Sequence, residues 1–178
     1  LIANCEATAN HSNLDGIRFG VQQPGSSMEE IMIQSRTKGF GSLIRKRFVI
    51  GSYGLFVENQ EKLFRQAQRV RRLIVENVAE VMKDYDILIA PASSDVAPKL
   101  DDHSRDELSD GYLIAENHMV IGNFTGYPSC TVPMGLIEGL PVGLNMTAKA
   151  WDEQSLFDFA AAMEDITGLK DATAEEIE

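Results

Sequence analysis

Three adjacent cations stand in the segment GFGSLIRKRFVIGSY of a chain whose formal net charge is −11: Arg45, Lys46 and Arg47. Ten of the sixteen Lys and Arg residues fall within 36–72, with only two acidic residues, so this basic stretch carries a formal charge of +8. A guanidinium binds a carboxylate through two parallel charge-assisted hydrogen bonds, and concentrated cations also attract the phosphates of RNA. The residue types therefore suit a site for an anionic group, and the alternative, above all for Arg45 and Lys46, is a solvated helix face.

The other side chains that could act as nucleophiles or metal ligands lack the spacing of a site. His11, His103 and His118 show no partner spacing for catalysis or metal binding, and we expect surface or local hydrogen-bonding roles for them. Cys5 and Cys130 lack metal-ligand spacing, so small buried apolar residues in a reduced, cytoplasmic protein are predicted. We expect no metal and no cofactor in this chain.

Length and composition indicate a globular protein. With 178 residues and 44% hydrophobic content, the chain is long enough for one unit with a sizeable core. No run approaches the roughly 18 apolar residues of a membrane helix, and no signal peptide pattern occurs. The sequence opens at Leu1, inside a helical pattern and without a methionine, so we expect a fragment of something longer.

Residues 1–84 are predicted to be mainly helical. Residues 1–10 suit the last turns of a helix, and Ser27 with Glu30 forms an S-x-x-E capping box, in which the hydroxyl accepts from a backbone N–H and the carboxylate reaches back. The helix that this box begins is expected to end at Gly39.

The basic stretch falls on two further predicted helices. The first runs from Ser42, as its cap, to about Phe56, and Gly51 and Gly54 weaken it by roughly 1 kcal/mol each relative to Ala, which indicates a close approach by another backbone. The second spans Gln60 to Lys83, because its apolar residues recur at spacings of three and four. Its other face carries Lys62, Arg65, Arg69 and Arg72, and the sequence does not decide whether that face meets solvent, a partner subunit or tRNA.

Strand signals dominate 85–150, with one helix expected over Glu107 to Ile121. DILIAPAS is a short apolar run closed by a proline and predicts a buried strand. PSCTVPMG and PVGLNMTAK are strand candidates separated by the turn 137–139. Because the connections look too long for hairpins, helices around these strands predict an α/β sandwich with a mixed sheet.

A last helix is expected over 151–168, followed by a solvated acidic tail at 169–178. Asp152 is its predicted cap, and Trp151 beside it is interpreted as a packing anchor. One face of this helix is predicted to be apolar, and the last residue of that apolar face is Ile166.

The order of motifs along the chain resembles that of the amidase signature family. The motifs are EATAN, LDGIRFG, GFG with the basic cluster, RFVIGSY, KLFRQAQRVRRLI, DILIAPAS, GNFTGYPSCTVPMG, GLPVGL and AWDEQSL. The resemblance covers nearly the whole chain, 1–178, and implies the C-terminal part of that family's α/β/α sandwich, in which helices flank a mixed β-sheet.

The resemblance also implies that this chain holds no catalytic residue. The family's lysine and two serines lie upstream of the position that matches Leu1, so the chain alone is predicted to be inactive. Gly25, Ser26 and Ser27 imitate the end of the family's serine-rich segment. Their place before a helix favours the capping role for Ser27.

Within the family, the resemblance is nearest to members that release ammonia from glutamine for a tRNA-dependent amidotransferase. It implies that Arg47 binds the substrate α-carboxylate. The α-ammonium falls to Glu116, seven residues before Asn123 of NFTGYP, where the family has aspartate. It further implies partner subunits B and C, tRNA reached through the complex, and ATP and Mg²⁺ used by a partner subunit.

Two other functions fit part of the pattern. A family member that hydrolyses a different amide, such as an aryl or acyl amide, has no need for paired recognition by Arg47 and Glu116, so that pair favours glutamine. A basic helical module could bind RNA through 36–72. Sparse aromatic residues there and the strongly negative total charge argue against it.

Overall fold

The computed structural model describes residues 1–101 and 120–173. It divides into two compact units, Leu1–Arg72 and Leu73–Glu178. Within the described residues, no helix combines the length and the apolar character needed to cross a membrane.

Helices make up the first unit. They are α1 (Ile2–His11), α2 (Met28–Gly39), α3 (Ser42–Leu55), a single turn (Val57–Asn59), a π-helical turn (Gln60–Arg65) and the start of α4 (Gln66–Val81). The predicted α1 and the predicted end of α2 at Gly39 are confirmed.

The cap of α2 follows the prediction in one half and departs from it in the other. Ser27 Oγ accepts a hydrogen bond from Glu30 N at 3.1 Å, as a capping box requires. The Glu30 carboxylate instead accepts from Ser26, from its backbone N at 2.7 Å and from its hydroxyl. Ser26 and Ser27 are thereby both engaged in starting the helix.

Helix α3 lies directly against α1, and glycines make that approach possible. A Cβ added at Gly51 would lie 2.2 Å from the Asn4 carbonyl oxygen and 2.2 Å from Thr8 Oγ1. At Gly54 it would lie 2.8 Å from the sulfur of the buried Cys5. The close backbone approach predicted from these glycines is confirmed at Gly51, whereas the nearest atoms at Gly54 belong to side chains.

Two predictions for the helices after α2 are wrong. The N-cap of α3 is Gly41, which has no side chain to accept a hydrogen bond, so Ser42 is the first helical residue rather than the cap. The single helix expected from Gln60 to Lys83 begins as the π-helical turn Gln60–Arg65, and its α-helical part ends at Val81. Apolar spacing cannot reveal such a wider turn when only one turn is affected.

Asp15 organises the loop between α1 and α2. Its side chain is 2% exposed, and Oδ1 accepts from Arg18 N at 2.8 Å and from Ile17 N at 2.9 Å. Oδ2 accepts from Arg18 Nε at 3.0 Å. Hydrogen bonds to the charged form favour it. The backbone N–H of Arg18 and then that of Ile17 therefore lower the pKa of Asp15 from its ordinary 3.8 to about 2.

The second unit contains a three-stranded sheet. Its elements are β1 (Ile87–Pro91), α5 (Val120–Thr125), β2 (Ser129–Ile137), β3 (Leu140–Ala148) and α6 (Glu153–Thr167). The strand order is β1-β3-β2, and together with the helices it gives the predicted α/β class. Both pairs are antiparallel, so the parallel pairing that a mixed sheet requires is not found among the described strands.

Strands β2 and β3 form a tight hairpin, so the expectation of connections too long for hairpins is wrong here. Ile137 pairs with Leu140, and the two residues between them, Glu138 and Gly139, have φ of 52° and 80°. Positive φ at both positions gives a turn whose twist matches the strands.

The core of the second unit lies between α6 and the two strands β2 and β3. Val132, Leu144, Met146 and Ala148 from the sheet pack on Leu156 of α6. On the other face of β3, the buried Asn145 Nδ2 donates to the Cys130 carbonyl at 3.2 Å and lies 3.1 Å from Thr131 Oγ1. The second half of the central strand is thus buried on both faces, and the buried Asn145 amide has hydrogen-bond partners.

Helix α6 has the predicted cap but not the predicted aromatic anchor. Asp152 Oδ1 accepts from Ser155 N at 3.3 Å, and Gly168 ends the helix with φ of 66°. Trp151 is 93% exposed, and its backbone is left-handed, with φ of 66°. Ile166, expected on the apolar face, is also largely exposed.

Gly51→Ala tests the contact between α1 and α3. Alanine favours a helix interior by about 1 kcal/mol over glycine, but the added methyl meets the Asn4 carbonyl and must push the helices apart. We expect the free energy of unfolding to fall by about 1–3 kcal/mol, measured by urea denaturation followed by far-ultraviolet circular dichroism.

Gly39→Ala is the matched control for this substitution, because a Cβ at Gly39 would meet nothing within 4 Å. It should leave stability unchanged or raise it by up to about 1 kcal/mol. Equal effects of the two substitutions would contradict the steric account.

Asp15→Asn tests the buried carboxylate through pH. Because the folded pKa is about 2 and the ordinary value is 3.8, the carboxylate stabilises the fold fully above roughly pH 4, and this contribution is lost as pH falls toward 2. We expect the variant to be less stable at neutral pH, with a shallower loss of stability between pH 4 and 2 measured by denaturation at each pH. Glu58→Gln, at an exposed position, should keep the original slope, and an unchanged slope in Asp15→Asn would contradict the role.

Candidate functional site

Arg47 occupies a different environment from its two basic neighbours. All three lie on α3, but Arg47 is half-buried, whereas Arg45 and Lys46 are exposed. Arg47 Nη1 lies 3.5 Å from Asn4 Oδ1 on α1. Of the three cations, Arg47 is therefore the one held at the contact between the two helices.

Polar groups line that contact on the α1 side. Thr8 Oγ1 donates to the Asn4 carbonyl at 2.7 Å and lies 3.3 Å from the Phe48 carbonyl. Asn4 and Thr8 are one helical turn apart and so share a face. The contacts of Thr8 with Asn4 and Phe48 hold this turn of α1 against α3, and Asn4 contacts Arg47 from the same turn.

An aromatic cavity of about 260 Å³ adjoins the same pair of helices. Phe40 and Phe48 meet edge to face with ring centroids 4.9 Å apart, and the His11 ring lies 5.7 Å from that of Phe48. His11 Nδ1 lies 2.8 Å from the Ala7 carbonyl, which confirms the local hydrogen-bonding role predicted for it. Arg36 Nη2 donates to the Ser12 carbonyl at 2.7 Å.

The described thiols are structural and poorly suited to attack. Burial raises the pKa of the Cys5 thiol and that of the Cys130 thiol, so both are protonated near neutral pH, and the thiolate is the reactive form. Both are free cysteines. Among the residues described, no group of three or more His, Cys, Asp or Glu side chains is placed to hold a metal ion.

The second predicted site residue, Glu116, lies outside the described residues, as do His103, His118 and most of the helix expected over Glu107 to Ile121. The pairing of Arg47 with Glu116 therefore stays a prediction. What the structure adds is Asn4, which sequence reasoning missed. One signal in the sequence could have indicated Asn4. It lies four residues before Thr8, so both are on the same face of a helix, and the glycines of α3 indicate that a helix packs closely there.

The predicted basic face between 62 and 72 is partly assembled into a cleft. Of its four cations, three line the cleft, together with two glutamines and one phenylalanine: Arg65, Arg69, Arg72, Gln60, Gln68 and Phe64. These side chains border a shallow groove that is open to solvent, which we call the basic cleft.

Comparison with known proteins accounts for most of the chain. The amidase family model matches residues 1–157. The A subunit of the glutamyl-tRNA(Gln) amidotransferase of Latilactobacillus sakei is 33% identical over 168 residues, which are 94% of this chain and 34% of that protein. The chain thus spans about a third of the length of the curated relatives it matches.

Solved structures share the fold. The crystal structure of the A subunit of the glutamyl-tRNA(Gln) amidotransferase from Thermotoga maritima aligns over 92% of this chain and 33% of its own, with a TM-score of 0.55 and 24% identity. A bacterial aryl acylamidase of the amidase signature family aligns over 95% of this chain and 34% of its own, with a TM-score of 0.65 and 18% identity.

The family match covers far more than half of the chain, the motif order agrees with it, and the solved relatives share the α/β arrangement of helices and strands. The chain belongs to the amidase signature family.

Proposed function

We propose that this chain is the C-terminal portion of the glutamine-hydrolysing A subunit of a tRNA-dependent amidotransferase, which converts Glu-tRNA(Gln) to Gln-tRNA(Gln) in the cytoplasm. The observation that carries the proposal is the 33% identity, over 94% of the chain, to a protein of that name. The catalytic lysine and two serines of the family belong to the preceding part of the parent, so the chain alone is inactive.

In the parent protein, one serine attacks the side-chain amide carbon of glutamine while the lysine and second serine relay protons. Ammonia leaves, an acyl-enzyme remains, and water then releases glutamate. The ammonia passes to a partner subunit, with B and C completing the assembly, where ATP and Mg²⁺ support amidation of the tRNA-bound glutamate. The share of this chain in the reaction is recognition of the substrate.

Arg47 suits the α-carboxylate of glutamine. A half-buried guanidinium is less screened by water than an exposed one, which strengthens its attraction to a carboxylate. Guanidinium has five N–H donors in a fixed fork, so it can serve Asn4 and a substrate carboxylate together. Glutamine is thereby held with its side-chain amide directed away from Arg47.

Glu116 is the proposed partner of the α-ammonium. Its side chain carries one methylene more than the family's aspartate, which keeps the charge but moves the carboxylate by about 1.5 Å, a shift that matters when groups must be positioned. Paired recognition by Arg47 and Glu116 distinguishes glutamine from amides that lack the amino-acid head group.

In the full-length parent, Arg47→Ala should weaken the use of glutamine through substrate binding. Loss of a charge-assisted pair costs roughly 1.5–3 kcal/mol, so we expect kcat/KM for glutamine hydrolysis to fall about ten- to more than a hundredfold. Amidation of tRNA with ammonia supplied directly should be retained.

The matched control is Arg45→Ala, which removes an exposed cation from the same helix and should leave the KM for glutamine within about twofold, as expected for a screened surface charge. An unchanged KM in Arg47→Ala would transfer the binding role elsewhere. Hydrolysis of an aryl or acyl amide in preference to glutamine, insensitive to Arg47→Ala, would support the alternative amidase.

Comparing proteins with Glu, Gln or Asp at position 116 tests whether the negative charge there binds the α-ammonium. Glu116→Gln removes the charge with little change of shape and should reduce glutamine-dependent activity while ammonia-dependent activity survives. Glu116→Asp keeps the charge and restores the family's residue, so it should be tolerated better. Steady-state assays with glutamine and with ammonia measure the ranking, and equal activity of all three proteins would show that the ammonium is held elsewhere.

A further inference from the structure

The basic cleft concentrates cationic and planar groups on one side of a helix. Its volume is about 620 Å³, and Arg65, Arg69 and Arg72 line it beside Phe64 and the amides of two glutamines. Among the residues that the structure describes, no carboxylate lines this cleft. An occupant with negative charge is therefore favoured.

The π-helical turn Gln60–Arg65 shapes the cleft. In a regular α-helix, with 3.6 residues per turn, the six lining residues would spread over about half of the circumference. A π turn advances fewer degrees per residue because each hydrogen bond spans five residues. The six side chains are drawn onto a narrower arc, and one-turn π segments occur frequently at functional sites.

Glu61, at the edge of the cleft, holds two of the arginines. Arg69 Nη2 lies 2.5 Å from Glu61 Oε1, and Arg65 Nε lies 3.6 Å from Oε2. With one carboxylate against two guanidinium groups, the three side chains Glu61, Arg65 and Arg69 together carry a net positive charge.

The chemistry of the cleft favours RNA over an acidic protein. Guanidinium groups fork onto phosphate oxygens, amides and guanidinium planes contact ribose and bases, and the half-buried Phe64 offers a ring for stacking. The net charge of −11 and the few aromatic residues in 36–72 argue against a free-standing RNA-binding module. A local contact between this cleft and phosphate groups needs neither a basic chain nor many stacking rings. The choice of RNA rests in part on the proposed function, in which tRNA is the final substrate.

We propose that the basic cleft, formed by the π-helical turn and the first part of α4, binds the phosphate backbone of tRNA. The basic cleft shares no residue with the Arg47 site, and its residues take no part in glutamine hydrolysis.

The test uses the full-length protein and a fluorescein-labelled, unacylated tRNA transcript, with fluorescence anisotropy measured over a series of salt concentrations. Arg65→Ala combined with Arg69→Ala should weaken binding about tenfold or more and reduce the slope of log K against log salt by about 1–2. Glu61→Gln should tighten binding, because it removes the competing carboxylate.

The matched control is Arg45→Ala combined with Lys46→Ala, which removes two exposed cations of the same basic stretch outside the cleft. It should weaken binding by less than about threefold, as expected for screened surface charges. Thermal melting of each variant verifies that it is folded.

Four results would overturn the proposal. They are no binding of tRNA, equal losses in the two double variants, no gain from Glu61→Gln, and displacement of the transcript by polyglutamate as effectively as by unlabelled RNA. Glutamine hydrolysis without tRNA is measured in parallel and should be unchanged in the cleft variant. Because that assay is independent of anisotropy, failure of the proposed function and failure of the cleft proposal are distinguishable.

Discussion

The first unit depends on the distance between α1 and α3. At Gly51 the two backbones approach so closely that an added Cβ would lie 2.2 Å from a carbonyl oxygen, and such a contact admits glycine alone. The approach brings Asn4 within reach of Arg47, places Thr8 against the carbonyl of Phe48 and buries Cys5. A wider separation would leave Arg47 as exposed as its two neighbours and beyond the reach of Asn4.

Features that depend on local chemistry were predictable from the sequence. The cap at Ser27 and the cap at Asp152 follow from a short polar side chain three residues before an N–H that lacks a helical partner. Gly51 was informative in a different way, because glycine weakens a helix interior and its missing Cβ permits another backbone to come close. That inference gave a tertiary contact from a single residue type.

Features that depend on the exact number of residues per helical turn, or on contacts with distant parts of the chain, were not predictable. The π-helical turn Gln60–Arg65 changes the helix by one residue, and the apolar pattern is too short there to record it. Trp151 was expected to pack because large aromatic side chains usually do, but its side chain is almost fully exposed. The link between Arg47 and Asn4 joins residues 43 positions apart, and no local pattern encodes it.

Because Cys5 is buried where α1 meets α3, chemical labelling of its thiol can report on the separation of these two helices. Its side chain is 1% exposed, and its sulfur donates to the Gly51 carbonyl at 3.4 Å, so an alkylating reagent can reach the thiol only when the helices separate. Under conditions in which closing is fast, the alkylation rate is proportional to the population of the open state. Cys130, half-buried in the second unit, provides an internal reference in the same molecule, so mass spectrometry of the two thiols would follow each unit's local opening without an added probe.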